Sequence, residues 1–566
     1  MGKRAKIWSI TFFLILFIGA LLLTFSFHLK KDHFTWGGEI YADKAGYYMY
    51  LPASFFYHFD VEKAPQDIDI KTGNGFVINW GNHTFNTKYT CGVAVMLSPF
   101  FLLAHGISLV FSLPEQGGFS PLYHAMVNIA AVCYLILGLM LLKMVLAKYF
   151  SQLTQYLSIL FIFIGTNLLY YTVEDTLMSH VYSFFLFSLF LFSAQKFWKK
   201  NRYSYFFLVA LSGSMAILVR PTNFLLFTVF FFLDLTGWRD LLRRINLFVT
   251  PKYLITFILV LFLVLLPQFI YWKYLHDSYL FYSYGNEGFT NLADPKLFEV
   301  WFAPLNGLIL YSPIVLVILA GMVIMIWRRN RNGWFFLILF FLLSYECASW
   351  QTWYFGCSFG QRSFVEYYAI FVIPFAFLIE EVTRQKGMIL KVVVLLFIVA
   401  FSYYNIRMTA VYKKCFFGST WDFTRFQVNL VRADLIPGGY QLHHENINPV
   451  IVEPFNEFSA SGSWLIEDFK LAKPTRIVVE SRVKNPADSI LGARIVCSIE
   501  RDYVPVLYQS ATLDSIMVIK KEWHDLKAEF EIPAWILPEY SIKVYYWNRN
   551  RSRFRLDTTR VTFFVK

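Results

Sequence analysis

From Ile7 onward the sequence returns repeatedly to apolar runs of about 18 to 24 residues, the length an α-helix needs to cross roughly 30 Å of hydrocarbon. The short alternating segments of an outer-membrane barrel are missing from this part of the chain, so the spans are predicted to be helices. Composition agrees: 57% of residues are hydrophobic, 20% aromatic and only 16% charged, with a mean hydropathy of +0.47, outside the usual range of soluble globular proteins. The apolar pattern predicts spans over residues 7–29, 123–146, 153–173, 180–198, 203–219, 222–235, 253–272, 304–327, 333–348, 364–381 and 389–405. The first run follows Lys3, Arg4 and Lys6 but is longer than a signal-peptide core and has no small-residue cleavage site, so it is read as a retained first helix.

Charge sets the orientation. With the N-terminus cytoplasmic, the inner segments hold Lys143 and Lys148, then Lys196 to Arg202, Arg239 to Lys252, Arg328 to Arg331, and Arg384 to Lys391. The short outer loops hold Arg220, Lys273, Lys296 and Arg362. The positive-inside rule is obeyed with about eleven spans. One further run, residues 91–111, would invert this pattern if it crossed; with Pro99, His105 and Gly106 it is expected to be a helix lying on or dipping into the outer face. The first outer loop then covers residues 30 to 122.

The formal charge of +13 does not mark a nucleic-acid binder, because the positives fall between apolar runs. Six cysteines (Cys91, Cys133, Cys347, Cys357, Cys415 and Cys497) show neither CxxC nor metal-ligand spacing, so they are expected to be packing residues. Beyond residue 405 the apolar runs stop. A linker over 406–440, with Pro437, Gly438 and Gly439, precedes short alternating segments such as "TRIVVESRVK", "ARIVCSIERD" and "YSIKVYYWNR". These predict a C-terminal β-sandwich over 441–566, and an odd number of spans places it outside the cytoplasm. Exposed rings such as Trp464, Tyr546 and Trp547 resemble those of a carbohydrate-binding module, although packing would also account for them.

Ionisable residues are costly near a membrane and mark functional sites. Here they gather at outer span ends and outer loops: Glu39, Asp43 and Lys44; Lys88; Glu174, Asp175 and His180; Arg220; Glu287; Arg362 and Glu366. Transfer of a sugar to a hydroxyl needs a carboxylate to take the proton and cations to hold the charge growing on a departing phosphate. Asp43 suits the first task; Arg220, Arg362, Lys88 and His180 suit the second. Structural roles are open as well: Asp43 and Asp175 as helix caps, His180 as an interface anchor, Arg220 as a snorkelling arginine, and Glu366 as the ion-pair partner of Arg362.

The segments "DKAGYYMYLPA", "KYTCGVAVMLSPFF", "SHVYSF", "RPTN" and "FGQRSFVEYY", in this order and on one side, resemble the GT-C superfamily of polytopic glycosyltransferases, in particular bacterial envelope members. The resemblance covers most of residues 1–405. It implies a GT-C-like domain that transfers a sugar (hexosyl or pentosyl), with inversion, from a polyprenyl-phosphate donor to a glycan, lipid or protein acceptor at the outer face of the cytoplasmic membrane. Asp43 would be the base and Asp175 a second catalytic acid, with Tyr47, Tyr48, Lys44 and Glu366 on the substrate. The chain has "ADK" where many relatives carry a pair of acids, so no metal ligand is assigned and a divalent cation stays open as the sole cofactor. Two other classes are compatible with an outward polar cavity: a transporter or flippase of lipid-linked glycan, and a non-enzymatic glycan-binding envelope protein. One-sided charge argues against alternating access.

Overall fold

In the computed structural model the chain forms two compact units, Met1–Lys414 and Cys415–Lys566. The residues described are 3–28, 33–34, 38–285, 287–356 and 358–412 of the first, and 441–453, 457–466, 474–484, 493–501, 504–512, 523–533, 535–537, 539–549, 551 and 553–565 of the second.

The first unit is helical, and the chain is a polytopic α-helical membrane protein. Among the described residues, seven helices are long and apolar enough to cross a membrane: Lys6–His28, Gly92–Phe111, Pro121–Leu146, Ser179–Lys200, Pro251–His276, Asn332–Ser349 and Met388–Ala410. Gln152–Gly165, Tyr203–Val219, Pro221–Phe232 and Val315–Trp327 are shorter apolar helices.

Several expected spans are interrupted, each for a local reason. The run over 153–173 is divided where Thr166 turns extended (ψ 169°), and helix Leu168–Val173 restarts beyond it. There the Asn167 side chain donates to the carbonyls of Phe359 (3.1 Å) and Gln361 (3.3 Å). The run over 304–327 breaks at Ser312, before a proline, between helices Leu308–Tyr311 and Val315–Trp327. Arg220, also before a proline, is extended (φ −150°, ψ 118°), which ends helix Tyr203–Val219 at the residue before it.

The segment expected at the outer face forms helix Gly92–Phe111, which runs antiparallel to the first half of Pro121–Leu146. The Tyr134 hydroxyl donates to the Met96 carbonyl (2.6 Å), Phe101 meets the Tyr123 ring at 5.0 Å, and His105 lies 3.4 Å from the Tyr123 hydroxyl. Helix ends are closed by charged side chains. Buried Arg244 donates to the carbonyls of Phe231, Leu233 and Asp234 and so satisfies the end of helix Phe227–Phe232. Glu380 accepts from the Ser151 amide and hydroxyl ahead of Gln152–Gly165. Residues 406–411, expected in the linker, continue helix Met388–Val411, and 413–440 lie outside the described residues.

A small hairpin in the first unit pairs β1 (Val77–Asn79) with β2 (Thr84–Asn86). The second unit contains β3 (Gln441–Ile447), β4 (Val450–Val452), β5 (Phe458–Leu465), β6 (Pro474–Lys484), β7 (Ala493–Arg501), β8 (Val504–Thr512), β9 (Trp523–Glu531), β10 (Ser541–Asn548), β11 (Phe554–Leu556) and β12 (Thr559–Val565). One antiparallel sheet has the order β5-β10-β7-β8; the other has the order β3-β12-β6-β11-β4, with β9 also paired to β6. The sheets face each other as a sandwich. Trp464 of β5 meets Phe563 of β12 at 5.1 Å, and the Tyr546 hydroxyl of β10 lies 3.1 Å from that of Thr559 in β12. Alternation drives the assembly: along β10 every second residue is buried. Tyr546 is thus buried inside the sandwich and Trp464 packs part-buried on Phe563, while Trp547 stands at a half-buried position on the other face of β10.

Candidate active site

The site is built on a six-residue helix, Asp43–Tyr48, held by close backbone approaches. The Ala42 amide donates to the Thr72 carbonyl (2.7 Å). A Cβ on Gly46 would fall 2.3 Å from the Gly75 carbonyl oxygen, and one on Gly75 would fall 1.7 Å from that of Ala42, so both positions require glycine. Asp43 does not act as a helix cap, the structural alternative left open for it. It is the first helical residue, while Ala42, at φ 51°, precedes the helix with no side-chain cap.

That leaves the Asp43 carboxylate outward, with a side chain 44% exposed, and the Arg362 guanidinium 3.7 Å away. Arg362 opens the 3-10 turn Arg362–Phe364. Its burial works against its charge, but Asp43, with Tyr171, Tyr47 and Tyr89, outweighs this and raises the guanidinium above its usual value. Tyr89 lies beside Asp43; burial and then the carboxylate push its phenol well up, so it stays protonated. The Tyr47 and Tyr89 rings are 4.3 Å apart. Tyr284 completes the wall: burial raises its phenol, Arg220 and Arg362 pull it down, and Asp43 pushes it up, so it stands among all three.

Arg220 is the second cation. One terminal nitrogen donates to Glu366 Oε1 (2.6 Å) and the other to the Ser363 hydroxyl (2.9 Å). His180 Nδ1 sits 3.0 Å from Glu366 Oε2. Glu366 therefore orients Arg220 and His180, in place of the expected pairing with Arg362, and both of its oxygens are engaged. His180 Nε2 is buried with no hydrogen-bond partner among the described residues. Lys88 pairs with Glu287 at 3.1 Å and lies over the Tyr284 and Tyr89 rings at 5.5 and 5.7 Å.

Of the sequence-expected residues, Asp43, Tyr47, Arg220, Arg362, His180, Glu366 and Lys88 are thus brought together. Three are not. Lys44 and Asp175 form a buried ion pair at 3.1 Å, and Lys44 also donates to the Gly38 carbonyl. Tyr48 faces away, donating to the Gly118 carbonyl among Phe101 and Phe119. Tyr89, Tyr284 and Ser363 are additional site residues. Tyr89 was legible beside Lys88, whereas Tyr284 looked like any interfacial aromatic. Glu346, whose charge interacts with Arg220, was hidden in the apolar run 333–348.

The groups around Asp43 are guanidiniums and phenols, and Asp175 is engaged by Lys44, so the residues present do not fit a divalent cation at Asp43. Beyond Tyr50, whose hydroxyl donates to the Tyr89 carbonyl (2.6 Å), a largely apolar groove of about 620 Å³ opens between helices Gly92–Phe111 and Pro251–His276, lined by Phe55, Phe59, Cys91, Val95, Leu263 and Pro267 among others.

No family model matches this sequence, and no curated protein does. Among solved structures, the chain is similar to the archaeal oligosaccharyltransferase AglB from Archaeoglobus fulgidus in complex with an inhibitory peptide and a dolichol-phosphate, with 13% identity and a TM-score of 0.40 over 72% of this chain and 56% of that one. An apo form of the Archaeoglobus fulgidus oligosaccharyltransferase gives 13% identity and a TM-score of 0.39 over 70% and 55%. The arabinosyltransferase EmbB from Mycobacterium smegmatis gives 9% identity and a TM-score of 0.35 over 98% and 64%. The chain spans less than two thirds of the length of each.

Proposed function

We propose that the protein is a membrane glycosyltransferase that moves a sugar from a polyprenyl-phosphate donor to a hydroxyl acceptor with inversion, at the outer face of the cytoplasmic membrane. The observation that carries this reading is the half-exposed carboxylate of Asp43 beside one part-buried guanidinium, with a second reached across a shared wall of tyrosines. The acceptor hydroxyl attacks the anomeric carbon from the side of Asp43 and gives its proton to the carboxylate. The bond from the anomeric carbon to the phosphate oxygen breaks with its electron pair on that oxygen. Arg362 and Arg220 hold the resulting charge, each with guanidinium N–H groups beyond those used in its ion pair. Tyr47, Tyr89 and Tyr284 offer ring faces and hydroxyls to the sugar. The apolar groove beyond Tyr50 suits the polyprenyl tail, and the β-sandwich is assigned to the same outer side as the site.

The test is to incubate the purified protein with a panel of polyprenyl-phosphate sugars and acceptors and follow released polyprenyl phosphate by mass spectrometry. Release by the native protein and its loss in Asp43→Asn are expected. Intact donors after every incubation, together with movement of the donor between leaflets of proteoliposomes, would establish the transporter reading instead.

A further inference from the structure

Four residues N-terminal to Asp43, Glu39 is buried among three histidines from separate parts of the chain. His28 Nδ1 lies 3.0 Å from Glu39 Oε1; His33 Nδ1 and His124 Nδ1 lie 3.0 and 2.9 Å from Oε2. His28 ends the first helix and His124 lies near the start of Pro121–Leu146, so the cluster joins both helices to the first outer loop. Donor atoms of His33, Glu39 and His124 all fall within 4.8 Å of one another.

The tautomer of His28 shows what the cluster needs. Its Nε2 is 3.1 Å from the Val173 carbonyl, which can only accept, so Nε2 carries the hydrogen. In a neutral ring Nδ1 then presents a lone pair to a carboxylate oxygen, and Nδ1 indeed has no hydrogen-bond partner among the described residues. Two lone pairs facing each other in a buried site repel unless a proton on Nδ1 or a metal ion lies between them. Glu39 is itself held in place. The Asn128 amide donates to Oε1 (3.1 Å), and its own oxygen accepts from the Thr176 hydroxyl (2.8 Å), which fixes the amide and orients the carboxylate. The Val173 carbonyl orients His28 in the same way.

We infer that His28, His33, Glu39 and His124 bind one zinc-class divalent ion that fastens the first helix and the loop bearing Asp43 to the bundle. Three imidazoles and one carboxylate are a borderline nitrogen and oxygen set that suits tetrahedral zinc and is poor for magnesium or calcium. Bonds of about 2.0–2.1 Å in a tetrahedron separate neighbouring donors by about 3.3 Å, so His33 and His124, at 3.0 and 2.9 Å from Glu39 Oε2, need to open by a few tenths of an ångström, while His28, which meets Oε1 and lies outside that group, has to swing in as the fourth ligand. His33, whose side chain is 33% exposed, gives the ion its way in. The site is separate from the Asp43 cluster and stands whether or not the glycosyltransferase reading holds.

The experiment uses full-length protein purified in detergent without a histidine tag. Elemental analysis should find about one zinc per chain. Chelation should lower Tm, and added zinc, but not magnesium, should restore it. Cobalt(II) exchanged into the site should give the visible d–d bands of a tetrahedral centre. Glu39→Gln keeps the size of the side chain and a hydrogen-bond acceptor; it should bind zinc at least about 100-fold more weakly and lose the cobalt bands, while His83→Ala, outside the cluster, should keep both. Native protein free of zinc, with a Tm indifferent to zinc and chelator, would overturn the inference, as would Glu39→Gln protein that binds zinc as tightly as the native chain.

Discussion

Asp43 and Lys44 are neighbours in sequence, yet they belong to two opposite regions of the molecule. Asp43 faces a half-open cluster and meets Arg362 at 3.7 Å; Lys44 points into the bundle and meets Asp175 at 3.1 Å, with both partners buried. An ion pair is loose and available on one face, and closed on the other. The first leaves a carboxylate with much of its surface open. The second fixes the short helix against the segment ahead of Ser179–Lys200. Charge type alone does not distinguish reactive groups from structural ones; exposure and the completeness of pairing do.

That contrast can be broken by substitution on either side. Asp43→Asn keeps the shape of the half-exposed side chain and should lower turnover about 10²- to 10⁴-fold with little change in Tm, measured on the same preparation by polyprenyl phosphate release and thermal unfolding. Persistent activity would move the reactive face elsewhere. On the closed face, Lys44→Met takes the cation out of a buried ion pair and should cost about 3–5 kcal/mol of stability, and Lys44→Met with Asp175→Leu should recover part of it. Thermal unfolding of both variants checks this; a double variant no better than the single one would show that Asp175 has a further task. Arg362→Lys retains the charge but loses the planar fork, and should reduce kcat about 10- to 100-fold while Tm holds. The smallest effect is expected for Glu287→Gln, which breaks a pair with Lys88 that is about two-fifths exposed on each side. Its stability should change by about 0–1 kcal/mol, and a larger loss would mean that the pair is closed in the membrane.

Much of this organisation was legible in the sequence. The helical spans announced themselves by length, and the polar residues of the site by their position at span ends. The partners were harder to read. A six-residue helix turns about 100° per residue, so the adjacency of Asp43 and Lys44 said nothing about their facing opposite ways. Glu366 lies near Arg362 in sequence but pairs with Arg220, which is 146 positions away. His124 is 85 residues from Glu39, a separation at which no local spacing rule operates. The break at Thr166 was passed over although Gly165 stands directly before it, because the apolar run resumes at Leu168; the side chain of Asn167 stabilises it by reaching the segment around Phe359.

That reach has a further consequence. Besides the two bonds from Asn167, the segment before Arg362 is tied at the Phe359 amide by the Tyr171 hydroxyl (3.0 Å) and at the Ser358 carbonyl by the Tyr412 hydroxyl (2.6 Å), while the Tyr368 hydroxyl holds Asn167 itself (2.9 Å). The backbone that carries Arg362 is therefore immobilised during folding, before any ligand arrives. On the proposed function, a donor phosphate reaching Arg362 would find that backbone already ordered, so association need not order it again. Upstream of Ser358 the chain is held as well: the Asn306 side-chain amide donates to the carbonyls of Tyr354 (2.7 Å) and Gly356 (3.0 Å), so the backbone is tied on both sides of the turn that leads to Arg362.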